Sequence, residues 1–320
     1  MRSTRLPDSD LTVSSLAIGG GSFGTALRGD DLDHIINEYI DSGGNFIDTA
    51  HCYSFWVKNG NGASERELGD SLRRIGCRER VVIATKGGHS DGGADYPRPA
   101  NFLAPEVVRK DLEESLERLK FDYVDLYYLH RDDGVTPVEE FIDMLYSEVK
   151  KGRIRAYAAS NWSIERLESA NRYASSQGIP GFSASQMQWS LAEPSWRITA
   201  DPTMRYITPK DSKWHSATQL PVVAYTASAE GYFAGKGHSS GNFATKSNLE
   251  RFERSAKLAH TRNCTTTQIA LAYLLNQPFP TIPLFSTCNE NHLKEIAGSS
   301  DINLTLEELI YLKEGDGNIG

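Results

Sequence analysis

No two cysteines stand at CxxC spacing in this 320-residue chain, and the four present, Cys52, Cys77, Cys264 and Cys288, are scattered. A disulfide framework or structural zinc site would need closer, regular spacing, so neither is expected, and the thiols read as the reduced cysteines of a cytoplasmic protein. Long apolar runs are missing too: nowhere do about 18 consecutive apolar residues occur, the length needed to span a bilayer as a helix. The first twenty residues have no apolar stretch followed by a cleavage site, so a soluble, unexported chain is expected. Positive charge is short as well. Thirty-four Lys and Arg against 42 Asp and Glu leave a net charge of −8, a global field that repels nucleic acid and anionic membrane alike.

What the chain does have is repetition. At 39% hydrophobic and 24% charged residues it carries enough apolar material for a sizeable core. Short apolar runs with strand character fall at 15–19, 45–49, 81–86, 123–130, 154–160, 183–188, 222–227 and 281–285, and segments of helical period lie between them. Eight strands, each followed by a crossover, predict an α/β fold of the (β/α)8 TIM-barrel type spanning residues 1–320 as one domain. The run 6–13, with Pro7-Asp8-Ser9-Asp10 at its centre, predicts an N-terminal β-hairpin across the barrel's bottom. Long irregular loops follow strands six and seven, at 192–220 and 228–247, where function is commonly carried. Within the first loop, Thr208-Pro209-Lys210-Asp211 predicts a helix start with Thr208 as N-cap.

Gly19-Gly20-Gly21-Ser22-Phe23-Gly24 matches the GxGxxG pattern of a Rossmann dinucleotide site. That pattern needs a helix opening at the motif, whereas the helical period here begins only at Asp30, so a βα turn at the barrel mouth is the better reading.

Three strands end in ionisable side chains: Asp48, Lys86 and His130. In a barrel these ends meet at one rim, and Tyr53 is near enough to Asp48 to fold over it. A carboxylate would keep a buried lysine charged, and the ammonium would in turn favour ionisation of a neighbouring phenol. Tyr53 then acts as general acid, and a neutral His130 donates to a carbonyl oxygen. Nothing here supplies a nucleophile or a metal cage, so an external hydride source such as a nicotinamide is required. Singly, each residue has a plain structural reading as a cap, a salt-bridge partner or a core histidine; all four at one rim together point to protonation of an oxyanion.

These residues resemble the aldo-keto reductase superfamily. The stretch from Asn45 to Tyr53, Ser64-Glu65-Arg66-Glu67-Leu68-Gly69, Lys86 in Ala84-Thr85-Lys86 and His130 in Leu129-His130-Arg131 are similar to its signature and catalytic tetrad. The resemblance implies a nicotinamide-dependent oxidoreductase interconverting the carbonyl and alcohol of a small substrate, an aldehyde, ketone or sugar. It also implies nicotinamide contacts at Ser160, Asn161 and Gln186, with Trp189 stacking on the ring where tyrosine is usual. Further cofactor contacts are implied at Gly21, Ser22 and Phe23, and in a loop over the pyrophosphate at Tyr225, Thr226, Ala227, Ser228, Gly231 and Lys236.

One stretch departs from the family. Residues 282–293 occupy the place of the adenosine 2′-phosphate clamp, with Ser286, Thr287, Cys288 and His292 as the implied contacts, but hold no arginine. Loss of an arginine fork weakens discrimination for NADP(H) over NAD(H), so NADP(H) is favoured and NAD(H) remains open. Phe23, Trp56, Trp162 and Trp196 are candidate walls of the substrate pocket. Two other readings stay open: a cofactor-binding regulatory protein with little turnover, and a barrel hydrolase using Asp48 with a second carboxylate that the strand ends do not supply.

Overall fold

The computed structural model describes residues 1–90, 92–195 and 203–316. Strands β1 (Ser3–Arg5) and β2 (Thr12–Ser14) form the antiparallel N-terminal hairpin. Eight further strands close a parallel barrel: β3 (Ala17–Gly19), β4 (Phe46–Asp48), β5 (Val82–Gly87), β6 (Val124–Leu129), β7 (Ile154–Ser160), β8 (Ser185–Gln188), β9 (Val222–Tyr225) and β10 (Thr281–Phe285), with β10 pairing back onto β3. The Rossmann pattern is a turn: after β3 the chain makes a short helical turn at Gly20–Ser22, and α1 (Asp30–Asp41) begins well downstream.

Helices α2 (Ala63–Ile75), α3 (Pro105–Leu119), α4 (Val138–Lys150) and α5 (Ile164–Ser176) follow β4 to β7. Their boundaries follow local chemistry. Pro105 opens α3, where a missing N–H costs nothing, and Ser163 caps α5 by accepting from the backbone N of Arg166. Gly69 of α2 lies so close to α3 that a Cβ would meet the Leu119 carbonyl at 2.1 Å; only glycine allows that approach.

Side chains from the hairpin, Leu6, Leu11 and Val13, pack with interior strand residues such as Ala17, Phe46 and Leu126, and Asp10 pairs with Arg155 near the start of β7 at 2.8 Å. The hairpin therefore closes the end of the barrel where the strands begin, leaving their C-terminal ends as the open mouth. The core between sheet and helices is built from residues such as Leu68, Leu112, Phe141 and Leu167.

The loop after β8 contains α6 (Pro209–Thr218), started by a capping box between Thr208 and Asp211. After β9 come α7 (Lys246–Arg262) and the almost wholly buried α8 (Thr266–Leu275); β10 is followed by α9 (Glu290–Gly298) and α10 (Leu306–Glu314). Asn248, fully buried in α7, ties the two long loops together: it exchanges bonds with the backbone of Glu193 at 2.9 and 2.7 Å and donates to the Phe243 carbonyl at 2.9 Å. Among the described residues, no helix is long and apolar enough to cross a membrane.

Candidate active site

Asp48 ends β4, Lys86 is the penultimate residue of β5, and His130 directly follows β6. Lys86 is fully buried. Its Nζ donates to Oδ1 of Asp48, to the Thr49 carbonyl at 2.8 Å and to Oη of Tyr53 at 3.3 Å. The other carboxylate oxygen, Oδ2 of Asp48, accepts from Nε2 of Gln186 at 2.9 Å. Tyr53 reaches Lys86 because consecutive turns curl the chain back after β4, with Tyr53 N bonded to the Ala50 carbonyl at 3.0 Å and His51 N to that of Lys86 at 2.9 Å.

A second polar layer holds this turn from behind. Arg118 of α3 donates to the His51 carbonyl at 2.8 Å and pairs with fully buried Glu65 at 3.1 Å, and Glu65 accepts from Thr85 at 2.6 Å. The His51 ring bridges Glu114 and the Tyr96 hydroxyl, both at 2.8 Å.

The electrostatics differ from the sequence expectation at one residue. Burial pushes the Tyr53 hydroxyl above its ordinary value, and the opposing pull of Lys86 does not overcome it, since Asp48 and Cys52 push the same way as burial. Lys86 therefore does not acidify Tyr53 overall: the phenol keeps its proton and stands as a donor beside a cation. Burial opposes the Lys86 ammonium, yet Asp48 and Tyr53 hold it above its ordinary value; burial raises Asp48, against the pull of Lys86.

His130 is driven well below its usual range by burial and by the charges of Arg131, His89 and Lys86, so its imidazole is neutral. Sγ of Cys52 lies 3.5 Å from Nδ1 of His130, and burial pushes that thiol up to about 12, which keeps it a proton donor.

A cavity of about 740 Å³ opens on this group, within the range of small-molecule and cofactor sites. Its lining includes Tyr53, Phe55, Trp56, His89, His130 and Arg131 from the segments after β4, β5 and β6, and Ser286, Thr287, His292, Glu295 and Ile296 from the segment after β10. Gly21, Ser160, Asn161, Gln186, Tyr225, Thr226, Ser228, Gly231 and Lys236 line it as well, all expected from the sequence. A cavity of this volume, lined by the amides of Asn161 and Gln186 and by Arg131, Lys236 and His292, fits a nicotinamide dinucleotide. The backbone along it is unusual: Thr226, Ala229 and Glu230 have φ of 58°, 49° and 56°, with Gly231 at 82°. Non-glycine residues held there cost of order 1–3 kcal/mol each and cluster at ligand sites.

Several expected residues lie elsewhere. Trp189 stacks on Phe279 at 5.6 Å and lines a separate cavity beside α6, α8 and α10. The two-residue alternation of a strand explains this: Gln186 faces the barrel interior, so Trp189, three positions on, faces the helix layer. The aromatic at the mouth is Tyr225, whose hydroxyl bonds Oδ1 of Asn161 at 2.6 Å. Trp162 is fully buried between Phe141 and Phe182 and donates to the Arg131 carbonyl at 3.0 Å, so it braces the strand end instead of lining the pocket. Phe23 is likewise buried in the core. Ser22, Ala227 and Cys288 do not line the cavity. Trp196 lies outside the described residues. Sequence reasoning missed Phe55, His89, Arg131 and Met204 as wall residues; all but Met204 lie within three positions of a tetrad residue, which was the available signal.

A family model described as the aldo/keto reductase family matches residues 15–316. Similar curated proteins include a probable aldo-keto reductase 1 of Glycine max, 28% identical with 93% of this chain and 84% of that protein covered. The uncharacterized oxidoreductase YrpG of Bacillus subtilis is 29% identical over 98% of this chain and 95% of its own length. A putative aryl-alcohol dehydrogenase of Saccharomyces cerevisiae, AAD14, is 26% identical over 95% and 83%. Among solved structures, the thermostable aldo-keto reductase Tm1743, in complex with the inhibitor epalrestat, superposes with a TM-score of 0.74, 21% identity, and coverage of 98% of this chain and 99% of that one; it supports the fold.

Proposed function

Since the chain belongs to the aldo/keto reductase family, a family of redox enzymes, we propose that it reduces the carbonyl group of small aldehydes or ketones, and oxidises the corresponding alcohols, with a nicotinamide cofactor. The observation that carries this reading is Lys86, buried and bonded at once to Asp48 and to Tyr53, whose own side chain lines the cavity.

A bound nicotinamide supplies the hydride. As negative charge builds on the carbonyl oxygen, Tyr53 delivers its proton there, and the adjacent Lys86 ammonium offsets the charge left on the phenol oxygen. His130, neutral, donates its ring N–H to the same oxygen and fixes its position. Asp48 keeps Lys86 charged. Both of its oxygens are engaged, by Lys86 and Gln186, which leaves it unsuited to the nucleophile or base role of a hydrolase.

Asn161, Ser160 and Tyr225 would hold the nicotinamide, the loop from Thr226 to Lys236 the pyrophosphate, and Ser286, Thr287 and His292 the adenosine end. NADP(H) is the favoured form: His292 stands in the first turn of α9, where the helix N-terminus favours a phosphate. Preference over NAD(H) is narrow because no arginine is present and Glu295 borders the same end. Aromatic walls at Phe55 and Trp56 suit aryl aldehydes and ketones. The four cysteines are unpaired, which supports a reducing, cytoplasmic setting.

Fluorescence titration with NADPH and NADH, followed by a panel of aryl aldehydes, aldoses and ketones, tests the proposal. Nucleotide binding with turnover of at least one carbonyl class supports it; nucleotide binding with none, and a stable protein partner in pull-downs, would favour the regulatory reading instead.

A further inference from the structure

We propose that Cys52, His89 and His130 form a binding site for a thiophilic divalent cation of the zinc type at the substrate end of the cavity. Their ligand atoms all lie within 4.8 Å of one another, and all three side chains border the same open space. The Sγ to Nδ1 separation between Cys52 and His130 is 3.5 Å. Zinc bonds of about 2.3 Å to sulfur and 2.0–2.1 Å to nitrogen, at a tetrahedral angle, place those two atoms about 3.6 Å apart. One edge of the coordination polyhedron is thus already formed. His89 completes the face: its ring packs edge-on against that of His130 with centroids 4.8 Å apart, and Nδ1 lies 2.9 Å from the Ser90 carbonyl, the kind of contact that fixes a ligating imidazole. His89 follows Gly87 and Gly88 in a half-buried loop, so it can close the remaining gap without moving the barrel strands.

A set of one sulfur and two nitrogens selects zinc and cadmium over magnesium and calcium. On binding, Cys52 gives up its thiol proton to solvent and the thiolate bonds the metal. Three protein ligands leave a fourth position for water, on the side of the cavity. The bound ion and its water then stand beside Tyr53, where a carbonyl must enter, and the nucleotide end stays open. Occupancy is therefore expected to block turnover reversibly and in competition with the carbonyl. This consequence rests on the carbonyl-reductase reading; the metal site itself does not.

The test uses tag-free full-length protein and cobalt(II) as a spectroscopic probe. A one-to-one titration in which a thiolate-to-cobalt charge-transfer band grows with the visible bands of a tetrahedral ion is expected. Cys52→Ser should abolish the charge-transfer band, and both Cys52→Ser and His89→Ala should weaken binding by on the order of tenfold or more. Magnesium should leave the cobalt spectrum unchanged. Absence of the thiolate band in the wild type, or an identical band in Cys52→Ser, overturns the site. In turnover assays, zinc should inhibit competitively with the carbonyl, reversed by EDTA, and inhibition of equal potency in Cys52→Ser and His89→Ala would overturn the regulatory consequence. A chain with no turnover at all would refute the reductase reading, and the cobalt spectrum would still decide the metal site.

Discussion

Gln186 and Asp48, 138 positions apart in sequence, meet across the barrel at 2.9 Å, amide nitrogen to carboxylate oxygen. The family resemblance assigns Gln186 to the nicotinamide, whereas here its donor holds the residue that holds Lys86. Replacing it by leucine removes a bond to a charged group, about 1.5–3 kcal/mol, and should lower turnover by roughly tenfold to a hundredfold. Steady-state kinetics and NADPH titration separate the roles: a fall in kcat with nearly constant Kd is expected, and weakened NADPH binding with unchanged kcat would contradict it.

Asp48 and Lys86 are both fully buried, so removing one partner strands the other. Asp48→Asn should lower unfolding free energy by about 3–5 kcal/mol and abolish most turnover. Adding Lys86→Met should recover much of the stability and none of the activity. Chemical denaturation of the three variants checks this; full additivity of the two stability losses would show that the pair is not coupled.

Tyr53 is raised above its ordinary value and His130 driven well below its own. Tyr53 is therefore in its acid form, and the imidazole neutral, over the whole range from about pH 6 to about 9. The kcat/KM for reduction should be flat across that range, without an inflection near the usual histidine value. The stability linkage has a definite sign. His130 has a depressed folded-state pKa, so its contribution is complete above the unfolded value of 6.5 and is lost as pH falls below it. A pH–rate profile with a step near 6.5 would show that His130 titrates as an exposed imidazole does.

Among the described residues that line the cavity after β10, His292 is the only histidine, lysine or arginine, with Glu295 also in the lining. His292→Arg should tighten NADPH by about tenfold or more, the value of one charge-assisted fork, and leave NADH almost unchanged. Equal tightening of both nucleotides would remove the 2′-phosphate from this corner.

Much of this was legible in the chain. Three strands are marked by an abrupt change from apolar to ionisable residues, at Asp48, Lys86 and His130, so the barrel order and the meeting of those side chains at one rim could be read directly. Facing is harder. Trp162 and Trp189 each follow a strand by a residue or two, and whether such a side chain turns inward or outward depends on pleat parity at a boundary that sequence locates only within a couple of residues. The sign of the Tyr53 shift was also hidden, because composition reveals the neighbouring charge of Lys86 but not the loss of water around the phenol. His89 belongs to no strand end and was overlooked for that reason.

In the proposed reaction Tyr53, backed by Lys86, protonates a carbonyl oxygen while hydride is delivered to the carbon. Single-turnover transfer of deuterium from NADPH labelled at the transferring position to an aryl aldehyde tests it directly. Wild-type protein should place deuterium on the carbinol carbon, and Tyr53→Phe should bind NADPH normally yet transfer at least about a hundredfold more slowly, as expected for loss of a general acid. Transfer by Tyr53→Phe at the wild-type rate would show that Tyr53 is not the proton donor.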